Sequence, residues 1–401
     1  MRADRPGSGH DRYRERLAAL AADTAPVAAI VEAGRRNGWW PADRQWVRTY
    51  GRFHPDHDPF VTLVFEADEE PQLVCHVDVF TTRPAPPEDH ATSVAEHAAG
   101  WFRVTRFPAD DELPTLPAVL AHPGRRTVVR YRPGSRCTIR FEAPDGRVHF
   151  AKVLRDQAGE RFHANGNILW DAARRNELDF AVARPERWDA ETRTLWQEGV
   201  PGVALTARHL EAAGVGLASR MGRAAASLTR SSVQPRVVYD WAAHFGRSVR
   251  NVADLIVRIP RLAATLDALM QELARAHAGV AARAMRPIHG SLSRTQWVEG
   301  TSGLGLVDFD KLAFGDPEFD VAAFLTELDY DRLQVDQIKL AFLSSYEAVA
   351  GPLDRRLLDL YAAHERLEKA LKSARAVRPD GDVRAEGHLE SALAECAGPR
   401  T

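Results

Sequence analysis

Three short motifs between residues 289 and 322 constrain the fold more than any other part of the sequence. They read HGSLSRTQ from His289 to Gln296, LVDFD from Leu306 to Asp310, and GDPEFDVA from Gly315 onward. Their pattern predicts two short strands at about 296–299 and 303–309 and a helix from about 317. Asp308 then stands at the end of an apolar strand, where two elements meet. Asp310, two residues on, points to the same side if the strand is still extended.

A change from β-rich to helical sequence runs through the chain. After a helical pattern at 12–37, alternating apolar residues predict strands at 60–67 and 73–80 and three more across 127–154. A helix is expected at 157–178, followed by a strand that runs into a Gly/Pro connector at 192–205. Helices are expected at 207–228, at 251–280 with a break at Pro260, and in four segments from 317 to 396. The expected fold class is therefore α+β.

Two of the predicted hairpins resemble each other. TLVFEA at 62–67 matches TIRFEA at 138–143, and HVDVF at 76–80 matches FAKVL at 150–154. The match indicates an internal duplication of a β unit, although any two amphipathic hairpins share such alternation. In this alignment Asp78 occupies the position of Lys152, so only the second copy would carry lysine chemistry.

Composition excludes several classes of function. A net charge of −2 argues against a general binder of nucleic acid or anionic membranes. No apolar run approaches the ~18 residues of a membrane span, and the charged N-terminus does not read as a signal peptide. The three cysteines are far apart, which indicates reduced thiols in a cytoplasm. Only five of the 53 basic residues are lysines, so Lys152 draws attention, unless the bias is simple drift.

The three motifs resemble, in order and spacing, those of the aminoglycoside phosphotransferase and choline kinase-like family. That family carries H-G-D-x-x-x-x-N, an apolar strand ending in Asp, and G-D-P-x-x-D. The resemblance implies a bilobal protein-kinase-like fold with a β-rich N-terminal lobe and a mostly helical C-terminal lobe. The expected parts are an N-terminal extension at 1–120, the small lobe at 121–200 and the helical lobe at 201–401, which holds the catalytic loop and the metal site.

The resemblance also implies a site for ATP, or another nucleoside triphosphate, with Mg²⁺. Asp308 and Gln296 would hold the metal, Gln296 offering an amide oxygen in place of the usual Asn. Lys152 would hold the phosphates and pair with a carboxylate, Glu160 or, farther along, Glu177. Backbone groups would do the rest: those of Gly134 and Ser135 would cap a phosphate, and those from Gln197 to Gly199 would pair with the base. Asp316 and Asp320 would stabilise the structure, and His289 would anchor the loop.

Ser291 departs from the family pattern. It stands where the family carries the Asp that accepts the proton of the acceptor hydroxyl, and serine has no useful basicity near neutral pH. General-base help is worth about 10²–10⁴-fold, whereas most of the catalysis of phosphoryl transfer is positioning and electrostatics. Asp310, His289 or a carboxylate from a partner would have to take over the role.

Two hypotheses follow from this departure. The first is a phosphotransferase, with an atypical base, that acts on a hydroxyl of a small molecule or peptide. The second is a pseudokinase, a nucleotide- or peptide-binding subunit of a biosynthetic or modifying complex, which would require a protein partner.

Overall fold

The computed structural model describes residues 9–41, 44–67, 72–86, 89–280, 283–330 and 336–397. It has antiparallel sheets in the N-terminal half and helices in the C-terminal half, which confirms the expected α+β class. Among the described residues, no single helix is long and apolar enough to cross a membrane. One bent pair, Tyr13–Ala21 with Thr24–Asn37, meets that test only when both helices are taken together.

The chain begins with a module of two helices and a five-stranded sheet. The order of the strands in this sheet is β1-β2-β3-β5-β4. The helical pattern at 12–37 is broken at Asp23, whose backbone is left-handed (φ 60°). The elements are α1 (Gly9–Ala21), α2 (Thr24–Asn37), β1 (Val47–Phe53), β2 (Val61–Ala67), β3 (Leu73–Phe80), β4 (Thr92–His97) and β5 (Gly100–Arg106).

A second five-stranded sheet follows and forms the small lobe. Its order is β6-β7-β8-β10-β9, and one helix lies between β8 and β9. The predicted three strands at 127–154 and the helix at 157–178 are confirmed, whereas β9 had no sequence signal that we used. The elements are α3 (Leu116–Leu120), β6 (Arg125–Arg132), β7 (Arg136–Glu142), β8 (Val148–Leu154), α4 (Gly159–Arg174), β9 (Pro185–Asp189) and β10 (Thr194–Glu198).

The two sheets repeat each other in strand order and in register. Thr62 pairs with Asp78, and Asp78 with Arg103, in the first sheet. Thr138 pairs with Lys152, and Lys152 with Leu195, at the same places in the second. Two unrelated amphipathic hairpins would not share the arrangement of all five strands. The structure therefore agrees with the duplication, and with Asp78 at the position of Lys152.

The helical lobe completes the chain. Helix α6 begins at Trp241, ten residues earlier than expected, because Asp240 caps it by accepting the N–H of Ala243 at 2.9 Å. It ends before Pro260, as predicted. The elements are β11 (Val203–Ala204), α5 (Ala207–Arg230), α6 (Trp241–Arg258), α7 (Ala263–Ala278), β12 (Arg286–Ile288), β13 (Trp297–Gly300), β14 (Gly303–Leu306), β15 (Ala313–Gly315), α8 (Pro317–Tyr330), α9 (Asp336–Ala350), α10 (Arg355–Ala374) and α11 (Gly381–Ala397).

Candidate active site

A cavity of about 450 Å³ lies between the small lobe and the helical lobe. The small lobe contributes side chains from β6, β7, β8, β10 and α4. The helical lobe contributes the loop after His289, the end of β14 and two lysines of α10. Such a volume suits a small ligand, and the polar groups described below converge on it.

Lys152 makes the central polar contacts of this cavity. Its Nζ donates to Asp308 Oδ1 at 2.9 Å and to both carboxylate oxygens of Asp310, at 2.8 and 2.7 Å. The side chain is only 16% exposed, and a buried ammonium is costly unless it is paired. Two carboxylates share this one cation.

The prediction that Glu160 or Glu177 pairs with Lys152 was wrong. Glu160 is exposed in the first turn of α4, and Glu177 binds Arg175 and Ser232 instead. The reason is the rotation of α4, which turns an aromatic face toward the ammonium. The ring centre of Phe162 lies 5.5 Å from Lys152 Nζ.

Asp308 has a strained backbone and a stabilised negative charge. Its φ of 70° and ψ of 49° are left-handed, a conformation that non-glycine residues adopt rarely and often at functional sites. Burial alone would raise the pKa of Asp308, but Lys152 and Arg136 more than offset it and hold the pKa below its ordinary value. The pKa of Asp310 is raised by burial despite the same lysine. Asp308 is therefore the more firmly ionised of the two.

Gln296 lines the same cavity, and its amide is already engaged. Its Oε1 accepts the N–H of Ser293 at 2.7 Å. A carbonyl oxygen has two lone pairs, so one remains for a ligand. The carboxylate of Asp308 and this oxygen are hard donors of the kind that Mg²⁺ prefers. No cluster of three or more His, Cys, Asp or Glu side chains in the described residues is arranged to hold a metal. A Mg²⁺ ion here would therefore depend on phosphate oxygens as well.

His289 is fully buried and does not line the cavity. Its Nε2 lies 3.1 Å from the carbonyl oxygen of Val307, and burial lowers its pKa to about 4. A neutral, enclosed imidazole fits the anchoring role better than that of a base.

Asp320 holds the loop from below, as the resemblance implied. It accepts the N–H groups of His289 and Gly290 at 2.5 and 2.9 Å, while burial raises its pKa to about 7. Asp316, also buried, accepts a hydrogen bond from the hydroxyl of Tyr361 at 2.6 Å. Both carboxylates serve the structure of the loop and the helices around it.

Ser291 lies beside the cavity, not in its wall. The side chain is half-buried and makes no hydrogen bond within the described part of the chain. The residues of this loop that do reach the cavity are Ser293, Thr295 and Gln296.

The prediction that the backbone of Gly134 and Ser135 caps a phosphate was wrong. The N–H of Gly134 donates to Asp110 Oδ2 at 2.9 Å, and the N–H of Ser135 donates to the carbonyl of Arg132 at 3.0 Å. Both donors are therefore used within the chain, because the turn between β6 and β7 closes on itself and on Asp110. Arg136, which follows, does line the cavity, with its Nη1 at 3.4 Å from Asp310 Oδ2.

The connector between the lobes agrees only in part with the expected base site. Gln197 lines the cavity, but the N–H of Gly199 donates to the carbonyl of Val148 at 2.7 Å, and that of Glu198 to Arg184 at 2.9 Å. Val200, which we did not single out, lines the cavity, and its N–H has no hydrogen bond among the described residues. Apolar walls that would flank a flat base come from Phe150, Leu169, Val182, Leu195 and Leu306.

Helix α10 contributes two lysines, Lys369 and Lys372, to the cavity wall. Their spacing of three residues, visible in the sequence, places them on one helix face. The polar residues of the preceding turn of α10 contact the helical lobe instead. His364 contacts Ser248 and Glu365 pairs with Arg247, both inside the helical lobe.

Comparison with known proteins agrees with this geometry at the level of the fold. No protein-family model and no curated protein matches the sequence. Among solved structures, an aminoglycoside-3'-phosphotransferase of type VIII shares 22% identity over 65% of this chain and 99% of its own, with a TM-score of 0.51.

Two further structures match over more of this chain. A choline/ethanolamine kinase family protein from Mesorhizobium loti shares 13% identity over 72% of this chain and 93% of its own, with a TM-score of 0.51. A GDP complex of an aminoglycoside 2'-phosphotransferase variant shares 16% identity over 72% of this chain and 98% of its own, with a TM-score of 0.52. The chain therefore has the kinase-like fold of the aminoglycoside phosphotransferases and choline kinases.

Proposed function

We propose that this protein is a phosphotransferase that uses ATP, or another nucleoside triphosphate, and Mg²⁺ to phosphorylate a hydroxyl of a small molecule or peptide. One observation carries the proposal. Lys152, which is distant in sequence from Asp308 and Gln296, lines with them one cavity of about 450 Å³, and the lysine bonds Asp308 directly. Burying a cation beside two carboxylates is costly, and a nucleotide with its metal is the ligand that would use all of them.

Nucleotide binding would rearrange the contacts of Lys152. The ammonium has three protons, and its three contacts with Asp308 and Asp310 occupy them. A phosphate oxygen must therefore displace at least one carboxylate. When bound, Mg²⁺ would neutralise phosphate charge, with Asp308 and Gln296 as its protein ligands. Lys152 would then turn toward the phosphates and release Asp310.

Asp310 is the residue we assign as the atypical base. It lies in the cavity, two residues beyond Asp308, and burial raises its pKa, which makes it the better proton acceptor of the two. Ser291 lacks this ability, and His289 is enclosed.

A second candidate, nucleotide binding without turnover, is favoured by a specific observation. The N–H groups of Gly134 and Ser135 already have partners within the chain, so they are not available to cap a phosphate. Together with Ser291, this describes a protein that senses a nucleotide or holds a peptide within a larger complex.

Nucleotide binding and turnover can be measured separately. We expect MgATP to raise the melting temperature and to be consumed slowly in the presence of hydroxyl acceptors. Lys152→Met should abolish the thermal shift. Lys339→Met, which removes a lysine paired with Asp329 outside the cavity, should leave it unchanged. Asp310→Asn should preserve the shift but remove turnover.

The outcomes divide the two candidates. A shift without consumption in any variant, including Ser291→Asp, would favour the non-catalytic candidate. The absence of a shift with any nucleoside triphosphate would exclude the phosphotransferase and the nucleotide-sensing form of the second candidate.

A further inference from the structure

A second cavity, of about 610 Å³, lies against the first sheet, away from the nucleotide cavity. One face of β2, β3, β4 and β5 forms its floor. Its cover comes from three residues between β3 and β4 (Ala85, Pro86 and Asp89), the segment after β5, and the turn between β6 and β7. Its floor residues are polar, although several are nearly enclosed: His76 is 7% exposed, Asp78 6% and Thr105 7%. A sheet face of this kind is usually apolar when it is buried. Here it is polar and hydrogen-bonded: Asp78 accepts from Thr62 and Arg103, and His76 contacts Tyr131.

The duplication relates this cavity to the nucleotide cavity. Position by position, its floor is the counterpart of the nucleotide cavity. Thr62, Asp78 and Arg103 stand where Thr138, Lys152 and Leu195 stand in the second sheet, and all six line their respective cavities. His76 and Thr105 likewise pair as Phe150 and Gln197 do. The first sheet therefore has the binding face of a small lobe, with the charge of its central residue reversed.

The charge around this cavity excludes a nucleotide. Five carboxylates line it, and the guanidinium of Arg103 is the one permanent cation among its described lining residues. Arg103 already binds Asp78, with Nη2 to Oδ2 at 2.7 Å. The other four carboxylates form no ion pair within the described residues; they are Asp89, Asp110, Asp111 and Glu112. A phosphate would be repelled here, whereas a cation would be attracted.

A buried histidine presents an unused acceptor to the cavity. The hydroxyl of Tyr131 donates its only proton to Asp110 Oδ2 at 2.8 Å, so its oxygen must accept from His76 Nδ1, 3.2 Å away. Burial lowers the pKa of His76, which favours the neutral ring. Nε2 then has a lone pair and no hydrogen bond within the described residues. It lies 3.9 Å from Asp78 Oδ2, another acceptor. Asp78 Oδ2 already accepts from Arg103, so His76 Nε2 is the acceptor that a donor in the cavity would satisfy.

We propose that this second cavity binds a small organic polycation of the alkylammonium class. Ammonium groups supply N–H donors for His76 Nε2 and for the threonine hydroxyls, and their charge complements the four carboxylates that have no ion pair among the described residues. No three of the described His, Cys, Asp or Glu side chains are arranged for a metal ion, which argues against an inorganic cation. The volume admits a small molecule. The site stands independently of the proposed phosphotransferase activity, because it shares no residue with the nucleotide cavity.

The proposal is tested by titrating spermidine into the full-length protein in an isothermal titration calorimeter, at low and at physiological salt. We expect 1:1 binding that weakens with salt. Asp111→Asn with Glu112→Gln, two exposed residues, should weaken it about three- to tenfold without affecting folding. His76→Phe installs the residue found at the matching place in the second sheet, and should weaken it about tenfold or more.

Matched controls make the result decisive. Glu191→Gln changes an exposed carboxylate outside both cavities, and Lys152→Met changes the other cavity. Neither should alter spermidine binding by more than about twofold. No heat of binding with spermidine would overturn the proposal, as would equal losses in Glu191→Gln and the cavity variants. Tighter binding of lysine amide, a model of a peptide side chain, would overturn the assignment to a small polycation.

Discussion

At the scale of single residues, the candidate active site depends on backbone positions that few side chains tolerate. Asp308 adopts a left-handed backbone, and this aims its carboxylate at Lys152. Gly290 is also left-handed, with φ 79°, and a Cβ there would lie 2.1 Å from the carbonyl oxygen of Lys311. The loop that carries Ser291 thus passes directly over the segment that carries Asp308 and Asp310. Glycine permits this close approach, which brings the two halves of the site together.

Gly290→Ala should therefore destabilise the protein by about 2–4 kcal/mol, because it combines a left-handed φ with a clash against backbone. Gly146→Ala is the matched control. Its φ is 81°, and nothing lies within 4 Å of the added Cβ. We expect Gly146→Ala to destabilise the protein by about 1 kcal/mol, from the backbone conformation alone. Urea unfolding of both variants gives the difference, and equal losses would show that the close approach has no energetic consequence.

At the scale of elements, helix α4 is held by its contact with β9. A Cβ on Gly159 would lie 2.0 Å from the ring of Trp188. This packing fixes the rotation of α4, and with it the side chain that α4 presents to the ammonium. Asn165, also on α4, donates to the carbonyl of Phe309 at 3.1 Å and connects the helix to the metal-site segment. The position of α4 therefore explains why Phe162, and no glutamate, faces Lys152.

Gly159→Ala should shift α4 and destabilise the small lobe by about 1–3 kcal/mol, since the indole of Trp188 must move. In an unobstructed helix the same change is stabilising by about 0.5–1 kcal/mol. Gly387→Ala in the exposed part of α11, with nothing within 4 Å of its Cβ, provides that reference. Urea unfolding monitored by tryptophan fluorescence measures whether each substitution raises or lowers the free energy of unfolding. A stabilising effect at Gly159 would contradict the packing argument.

At the scale of the whole molecule, the N-terminal module is joined to both lobes. The N–H of Phe53 donates to the carbonyl of Arg375 at 2.8 Å, and its carbonyl accepts from the buried Arg258 at 2.7 Å. Toward the small lobe, Gln72 Oε1 accepts the N–H of Val128 at 2.6 Å. The duplicated sheet is thus part of the body of the protein. This arrangement holds the second cavity against the turn of the small lobe that closes it.

Buried histidines should make the stability of the whole molecule depend on pH. Burial lowers the pKa of His277 and His289 to about 4, and the pKa values of His244 and His364 are lowered as well. Below pH 6.5 the unfolded chain binds protons that the folded chain does not, so stability falls as pH decreases. Asp320 acts in the opposite direction. Because its pKa is raised to about 7, the folded chain binds about one proton there that the unfolded chain does not.

We therefore expect the free energy of unfolding to drop by about 2 kcal/mol or more between pH 6.5 and 5. His277→Phe keeps a ring against Trp241, on which His277 stacks, and should reduce the slope by about one proton. Urea unfolding across this pH range measures both. A slope that is unchanged in His277→Phe would contradict the assignment.

The sequence by itself determined the strand and helix order around the motifs and the pairing position of Asp78 and Lys152, whereas the kinase-like fold was what the resemblance of the motifs to a known family implied. Periodicity, turn residues and motif spacing are local properties, and they carry that information directly. The tertiary structure alone decided that Asp308 and Asp310 neutralise Lys152, that Asp110 occupies the N–H of Gly134, and that the first sheet faces a cavity. Those outcomes depend on how helices rotate and how distant segments pack, and no local pattern records the burial that drives them.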